Sequence, residues 1–339
     1  METKILKPSD ESINLACKLI KSGEVVAVPT ETVYGLAGDC ANPNAIKKIF
    51  EAKGRPADNP LIVHVSNMEM LNNIVAEIPE DAKKLADAFW PGPLTIIMKK
   101  GFAVCNESCA GLDSVGVRMP ANPIARKIIE RSNTPFSAPS ANISGKPSPT
   151  NAQDVFEDMN GKIPLVIDGG MCEAGVESTV VSVFNDTPII LRPGVITKEQ
   201  MENVLNKTVA VASGVTEGIN ENEKVLSPGM KYKHYSPLAD VVIVKGSIEN
   251  FSNFVKQHKT ENTFVLCFDG EENLFDVPAI SYGKQNDANS QAHNLFSKLR
   301  QLDKMGAKKV FARCPEWSGV GLAVYNRLIR SAGFNIIEL

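Results

Sequence analysis

Short apolar runs recur along the first part of this 339-residue chain, and their length constrains the fold more than any other feature. Such runs are too short for buried helices and fit strands that are buried in a sheet. The predicted strands are Val25–Val28, Leu61–Val65, Thr95–Met98, Ser114–Met119, Leu165–Ile167, Thr179–Phe184 and Ile189–Leu191. Helical patterns lie between some of them, at about 80–89, 123–132 and 151–158. We therefore expect a mixed α/β domain with a sizeable sheet that ends near residue 205.

Two helix starts are marked in the sequence. Ser9 can cap a first helix whose apolar residues repeat at helical spacing, and Gly23 would end that helix. Asn42 followed by Pro43 combines a capping side chain with a proline in the first turn of a second helix. We therefore expect one helix before the strand at Val25–Val28 and another after it.

A second alternating pattern begins at Ala239. The strand-like runs DVVIVK, TFVLCF, KKVFAR and NIIEL alternate with helical patterns, which predicts a parallel-type sheet covered by helices. Residues 206–238 have no sustained periodicity, and a stretch of that length is typical of a linker or a functional loop. We predict a domain over 1–205, a linker over 206–238 whose segment 227–237 closes the active site as a lid, and a smaller Rossmann-like α/β domain over 239–339.

The overall charge argues against a protein that coats nucleic acid by bulk attraction, and it leaves room for a local basic cleft. The formal net charge is −3, the sequence pI is about 5.9, and hydrophobic residues make up 43% of the chain. We find neither a secretory signal nor a run of about 18 apolar residues, so we expect no membrane-spanning segment. The seven cysteines form no C-x-x-C pair and no zinc-binding set, so we expect reduced thiols and a cytoplasmic location.

Polar residues are concentrated where predicted strands end, and the signatures G-x-x-x-x-G-K-[ST] and G-x-G-x-x-G are absent from the sequence. The segment PTETVYGLAGD directly follows the strand that ends at Val28. Its hydroxyls and carboxylate, from Thr30, Glu31, Thr32 and Tyr34, suit a ligand bound at the edge of a sheet. An alternative interpretation is a capped turn, in which threonine and glycine are common.

Two cations and a histidine stand in the segment KGRPADNPLIVHV, which begins at Lys53. Lys53 and Arg55 beside a proline-stiffened loop suit a phosphate or carboxylate ligand, although cations at the end of a helix also complement its dipole. His64 lies between Val63 and Val65, and strand alternation places it on the opposite face of the sheet. A strand histidine is often only hydrogen-bonded, so a structural role stays open.

Two arginines lie at the ends of predicted strands. Arg118 interrupts the apolar pattern of SVGVRMP, and a buried arginine is costly unless an internal carboxylate or a ligand carboxylate pairs with it. Arg192 ends the strand in LRPG, and the motif ESTVV precedes that strand. Both positions therefore predict anion-binding cations.

Two loops add hydroxyls and cations to the set. SAPSANISGKPSPT, residues 137–150, has four serines, three prolines and one charge, and loops of this kind bring backbone N–H groups and hydroxyls close to a ligand. An ordinary solvated loop is the alternative, but such loops carry more charge. SPGMKYKHYSP, residues 227–237, carries lysines and tyrosines that can close over a nucleotide.

In their order along the chain, these motifs resemble the threonylcarbamoyl-AMP synthase family, which is built on the YrdC-like fold. The resemblance rests on PTETVYGL, KGRPADNPLIVHV, WPGPLT, VGVRMP, SAPSANISG, ESTVV and RPG, and it covers about residues 10–205. SPGMKYKHYSP and the region after it resemble the long form of the family, which carries an additional C-terminal domain. The resemblance implies a twisted mixed sheet with a concave, positively lined cleft.

The resemblance also implies roles for individual residues. The residues expected to bind L-threonine are Thr32, His64, Arg118, Ala138 and Ser178. The residues expected to bind ATP are Arg55, Asn59, Ser114, Ser140, Ser148, Arg192 and Tyr235. Lys53 and Arg55 are expected to act in catalysis, and no residue is expected to hold a metal directly, because magnesium would bind mainly through the ATP phosphates.

The implied reaction joins L-threonine, bicarbonate and ATP into threonylcarbamoyl-AMP and releases pyrophosphate. A separate transferase would then use the product to modify tRNA, so tRNA would be an indirect partner. Three alternatives stay open: an RNA-binding module of the same fold without catalysis, a carbamoyl transferase of the hydrogenase-maturation type, and a structural partner in a tRNA-modifying complex. The second would also carry zinc-finger cysteine pairs and an acylphosphatase region, which this chain lacks.

Overall fold

Two sheets organise the computed structural model, which describes residues 2–215 and 235–339. The strands of the first sheet are β1 Lys4–Leu6, β2 Val26–Val28, β3 Gly35–Asp39, β4 Ile62–His64, β5 Leu94–Lys99, β6 Ser114–Arg118, β7 Phe136–Ser137, β8 Leu165–Ile167, β9 Thr179–Ser182, β10 Ile189–Arg192 and β11 Ala210–Val211. Over the described residues this sheet has 11 strands in the order β1-β8-β2-β3-β7-β4-β6-β5-β9-β10-β11. Strand β4 pairs with β6 in parallel and with β7 antiparallel, so the sheet is mixed. The predicted α/β fold class is confirmed.

Capping side chains mark the start of most helices in this part. The helices are α1 Asp10–Lys21, α2 Pro43–Lys53, α3 Met68–Ile74, α4 Glu80–Phe89, α5 Pro123–Ser132, α6 Ala152–Met159 and α7 Lys198–Leu205. The Ser9 side chain accepts the Ser12 N–H at the start of α1, and the Asn42 side chain caps α2. Both predicted helix starts are therefore confirmed. Gly54 ends α2 with a φ of 60°, a conformation that costs glycine little.

Strand β2 shows why the first sheet is buried on both faces. Successive side chains of a strand point to opposite faces. Val26 and Val28 belong to one apolar cluster with Ile20 of α1, whereas Ala27 belongs to another cluster with Ile46 of α2. Helices therefore cover both faces of this part of the sheet, and the polar segment that follows β2 stays buried at the end of the strand.

The second sheet is parallel. Its strands are β12 Asp240–Lys245, β13 Thr263–Cys267, β14 Ala279–Ser281, β15 Lys309–Arg313 and β16 Ile336–Glu338, and its helices are α8 Ile248–His258, α9 Ala288–Lys304 and α10 Val320–Ser331. The order is β14-β13-β15-β12-β16, and all pairs in it are parallel. The predicted alternation of strands and helices is confirmed, and β14 is an additional strand that the sequence did not reveal.

Among the strands that the sequence did not predict, β3 matters most for the site. Its sequence GLAGD lacks β-branched and aromatic residues, so intrinsic propensity does not indicate a strand. It forms because β2 and β7 both pair with it antiparallel.

The short strand β11 pairs with β10 and lies within the range predicted to be a linker. The predicted lid at 227–237 falls mostly outside the described residues, which resume at Tyr235.

Within the described part of the chain, no helix is both long and apolar enough to cross a bilayer.

Candidate active site

A cleft opens on the first sheet where the ends of β3, β4, β6 and β10 meet the loop that follows β7. The empty space within it is about 740 Å³, a figure that includes open solvent at its mouth. Most of the residues predicted to form a site line this cleft: Thr32, Lys53, Arg55, His64, Arg118, Ala138, Ser140, Ser178, Arg192 and Tyr235. The structure therefore brings together motifs that are far apart in the chain.

Arg118, at the end of β6, is held by three oxygens. Its Nη2 lies 2.6 Å from Oε1 of Glu31, its Nη1 donates to the Thr32 hydroxyl at 2.8 Å, and its Nε donates to the Gly92 carbonyl at 3.3 Å. Burial alone would raise the pKa of Glu31, but the Arg118 guanidinium outweighs burial and keeps that pKa below its ordinary value. An internal carboxylate therefore compensates Arg118, and a ligand carboxylate in the cleft would share the guanidinium with Glu31.

His64 lies directly beside Arg118 because β4 and β6 are paired with these two residues in register. Its Nδ1 lies 3.2 Å from the carbonyl oxygen of Ile62, which can only accept, so Nδ1 carries the hydrogen. Burial, followed by the positive charge of Arg118, lowers the pKa of His64 to about 3. The imidazole is therefore neutral at physiological pH and presents Nε2 as an acceptor.

Lys53 is buried at the end of α2, and its amine is turned towards the loop after β7. Nζ donates to the carbonyl oxygens of Ser140, at 2.5 Å, and Asn142, at 2.9 Å. Burial lowers the pKa of Lys53 well below its usual value, and the nearby charge of Arg55 adds to this effect. Lys53 therefore fixes the loop that carries the Ser140 hydroxyl as well as lining the cleft.

A second polar group consists of Ser178, which directly precedes β9, and Arg192, which ends the adjacent strand β10. Arg192 donates from Nε to the Ser178 carbonyl and from Nη2 to the Ser178 hydroxyl, both at 3.1 Å. The same hydroxyl lies 2.8 Å from that of Thr95. Neither of the two arginine contacts is to a carboxylate, so the Arg192 charge can serve a ligand anion.

Three of the residues predicted to bind ATP do not line the cleft. Ser148 is buried behind Glu177, and its hydroxyl donates to Oε1 of that residue at 2.5 Å. Ser114 lines a smaller cavity beside Thr95. Asn59 is fully buried, and within the described residues neither of its amide atoms has a hydrogen-bond partner.

The sequence did not identify Glu31 as the partner of Arg118, and it indicated no site role for Glu177 or Arg327. Glu31 pairs with Arg118, and Glu177 pairs through Oε2 with Nε of Arg327 at 2.8 Å. Arg327 belongs to α10, in the region where the sequence showed no site motif. A signal was present, because buried cations predict nearby anions and both Glu31 and Glu177 lie inside the motifs that were identified.

A hydroxyl-rich cleft with buried arginines, on a mixed α/β sheet, defines a protein that binds small anionic ligands. The chain belongs to the Sua5/YciO/YrdC family. The model of this family carries the description "Telomere recombination" and matches residues 18–194. A second model, described as the C-terminal domain of threonylcarbamoyl-AMP synthase, matches residues 196–333.

Relatives of similar length are named threonylcarbamoyl-AMP synthase. A threonylcarbamoyl-AMP synthase of Pyrococcus abyssi is 44% identical over 331 residues, which is 96% of each chain. A threonylcarbamoyl-AMP synthase of Bacillus subtilis is 42% identical over 340 residues, covering 99% of this chain and 97% of the relative. Sequence similarity therefore extends through both domains.

Solved structures share the fold. The crystal structure of P. abyssi Sua5 complexed with L-threonine superposes with a TM-score of 0.90 at 41% identity, covering 100% of both chains. Escherichia coli YciO, at 23% identity and a TM-score of 0.52, covers 57% of this chain and shares the fold of that part.

Proposed function

We propose that this protein makes threonylcarbamoyl-AMP from L-threonine, bicarbonate and ATP, releases pyrophosphate, and supplies the product for threonylcarbamoyladenosine modification of tRNA. The observation that carries the proposal is the grouping of Arg118, Thr32 and neutral His64 in one cleft with Ser178 and Arg192. The synthase names of the full-length relatives support it over an RNA-binding module without catalysis.

L-Threonine would bind at the end of the cleft formed by β4 and β6. Arg118 would take the amino-acid carboxylate, since its guanidinium is already oriented by Glu31 and Thr32. Nε2 of His64 would accept a hydrogen bond from the amine. Ala138 would contribute only backbone groups, and Ser178 would contribute its hydroxyl from the opposite wall.

ATP would occupy the part of the cleft lined by Arg55, Ser140, Arg192 and Tyr235. Lys53 would act on this side chiefly by fixing the loop that carries Ser140. The other residues proposed to bind ATP, Asn59, Ser114 and Ser148, do not line the cleft, so a direct contact with ATP would require the protein to rearrange. We propose that residues 1–205 and 239–339 are the two domains and that residues 206–238 join them.

The chemistry needs no protein nucleophile. The amine of threonine adds to bicarbonate with loss of water and forms an N-carboxylate. One oxygen of this carboxylate attacks the α-phosphate of ATP, the bond to the β-phosphate breaks, and pyrophosphate leaves. The protein contributes positioning and charge stabilisation, with Arg192 and Arg55 offsetting negative charge on the phosphates.

Magnesium would enter as part of the nucleotide substrate. Over residues 2–215 and 235–339, no group of three or more His, Cys, Asp or Glu side chains could hold a metal ion, so these residues do not fit a resident metal site. The carboxylates beside the cleft, Glu31 and Glu177, are each already paired with an arginine. No catalytic step is assigned to magnesium.

The first test is pyrophosphate release from ATP by the purified protein, with and without L-threonine and bicarbonate. The proposal expects release that requires both, formation of threonylcarbamoyl-AMP, and loss of both on Arg118→Ala. Release that ignores threonine would point to another acceptor, and a folded protein with no release would refute the synthase assignment. A cytoplasmic location and delivery to a separate transferase are part of the same proposal.

A further inference from the structure

Arg327 of α10 reaches from the second domain into the wall of the cleft. It is fully buried; its Nε donates to Oε2 of Glu177 at 2.8 Å, and its Nη1 donates to the carbonyl oxygen of Pro193 at 2.9 Å. Glu177 lines the cleft, and Pro193 directly follows Arg192, which also lines it. The second domain thus places the Arg327 cation next to Glu177 and Pro193, beside the part of the cleft that is proposed to bind ATP.

Glu177 is a buried carboxylate shared between the two domains. Its Oε1 accepts the Ser148 hydroxyl, while Oε2 accepts from Arg327. Burial alone would raise the pKa of Glu177, but the charges of Arg327 and then Arg192 outweigh burial and keep that pKa low. The carboxylate is therefore ionised because two arginines surround it, and Arg327 is the one that forms the direct ion pair.

We infer that Arg327 is a positioning residue for the nucleotide side of the cleft: by pairing with Glu177 it leaves Arg192 available to phosphate and holds the Ser148 hydroxyl in place. The inference rests on the proposed use of ATP. It gives the second domain a role in the reaction without placing any of its residues on the reacting atoms.

When Arg327 is removed, the Glu177 carboxylate must find another partner or lose its charge, and each outcome predicts how ATP binding will weaken. An uncompensated buried carboxylate is costly, so it must turn to Arg192 or take up a proton. The first outcome withdraws a cation from the phosphates, and the second weakens the hydrogen bond that Glu177 accepts from the Ser148 hydroxyl. The threonine side has its own supports, because Arg118 is held by Glu31 and does not contact Glu177 or Arg327.

The test compares Arg327→Met with a matched interface variant in the full-length protein. Arg300→Met removes another buried arginine that joins the two domains, through Asp158 at 2.8 Å and the Pro147 carbonyl. Asp158 keeps a second cation, Lys146, so no buried charge is left uncompensated there. We expect Arg327→Met to raise the KM and Kd for ATP about tenfold or more, with those for L-threonine changed less than about twofold, and Arg300→Met to leave both nearly unchanged.

A double variant tests the mechanism itself. Glu177→Gln removes the charge that Arg327 compensates, so we expect Arg327→Met to have a much smaller effect on ATP binding in the Glu177→Gln background. Arg327→Lys keeps a charge but cannot serve both Glu177 and Pro193 in the same way, and it should recover part of the loss. If Arg327→Met does not fold, the lysine variant in both backgrounds provides the same comparison.

The outcomes separate this inference from the proposed function. Equal weakening of ATP and threonine, equal defects in Arg300→Met, or an undiminished effect in the Glu177→Gln background would each overturn the positioning role. A wild-type protein that binds ATP but makes no threonylcarbamoyl-AMP would refute the proposed reaction, while calorimetric Kd values for ATP would still decide the role of Arg327.

Discussion

Replacing Arg118 by lysine keeps the positive charge and removes the planar fork of donors. The guanidinium now contacts Glu31, Thr32 and the Gly92 carbonyl, and a single ammonium cannot reproduce all three directions while also binding a ligand. The nearby carboxylate of Glu31 will compete for the one charge that remains. The variant should therefore lose about one charge-assisted hydrogen bond to the threonine carboxylate, or about 1.5–3 kcal/mol.

At about 1.4 kcal/mol per tenfold, this loss corresponds to a Kd for L-threonine that is about 10- to 150-fold weaker. Isothermal titration calorimetry of L-threonine into wild type and Arg118→Lys measures it directly, with ATP as a second ligand whose Kd should stay within about twofold. Arg126→Lys is the matched control, because Arg126 is a half-buried arginine of α5 that does not line the cleft and pairs with Glu130. A threonine Kd within twofold of wild type, in a folded variant, would refute the assignment of Arg118 as the carboxylate ligand.

Three further predictions concern stability and reactivity. The pKa of His64 falls from 6.5 to about 3 on folding, so the unfolded chain binds a proton that the folded protein does not, and stability is lost as pH decreases below about 6.5. Between pH 6.5 and pH 5, wild type should lose about 1.6 kcal/mol more of its free energy of unfolding than His64→Gln, measured in urea, and equal losses would contradict a neutral buried imidazole. Gly175→Ala should destabilise the protein by about 1–3 kcal/mol more than Gly111→Ala. Both glycines have a φ of 75°, but a Cβ at Gly175 would lie 2.4 Å from Cα of His293 in α9, whereas one at Gly111 meets nothing within 4 Å; equal destabilisation by urea denaturation would remove the packing argument. Iodoacetamide should label the half-buried Cys105 and Cys314 before the buried cysteines Cys40, Cys109 and Cys172, whose pKa values are raised by burial, and mass spectrometry that finds the reverse order would contradict the packing described here.

The sequence was informative about the cleft where a polar residue interrupts or ends a buried strand. Arg118 and His64 could be predicted because each is a polar residue in an apolar run, and parallel pairing of β4 and β6 then places them side by side. Ser148 and Asn59 could not be placed in the same way. Their side-chain directions depend on tertiary contacts, such as the carboxylate of Glu177 that takes the Ser148 hydroxyl.

The role of α10 was missed for a related reason. Its sequence VGLAVYNRLIRS has two arginines three residues apart, which on a surface helix would face solvent. In the structure nearly every residue of this helix from Ala323 onward is buried, and Arg327 and Arg330 lie among them. Arginines in an otherwise apolar helix do indicate buried partners, but no local pattern shows which ones. The partners are Glu177 and the Pro193 carbonyl in the first domain, and the Gly214 carbonyl in the segment that follows it.

The ion pair between Glu177 and Arg327 can form only late in the synthesis of the chain. The two residues are 150 positions apart, so the ribosome completes the carboxylate long before it adds the arginine. Until α10 is added, Glu177 lacks its direct partner and has only the Ser148 hydroxyl and the nearby charge of Arg192. Glu177 therefore acquires its ion pair with Arg327 only after α10 has been synthesised and has packed against the first domain.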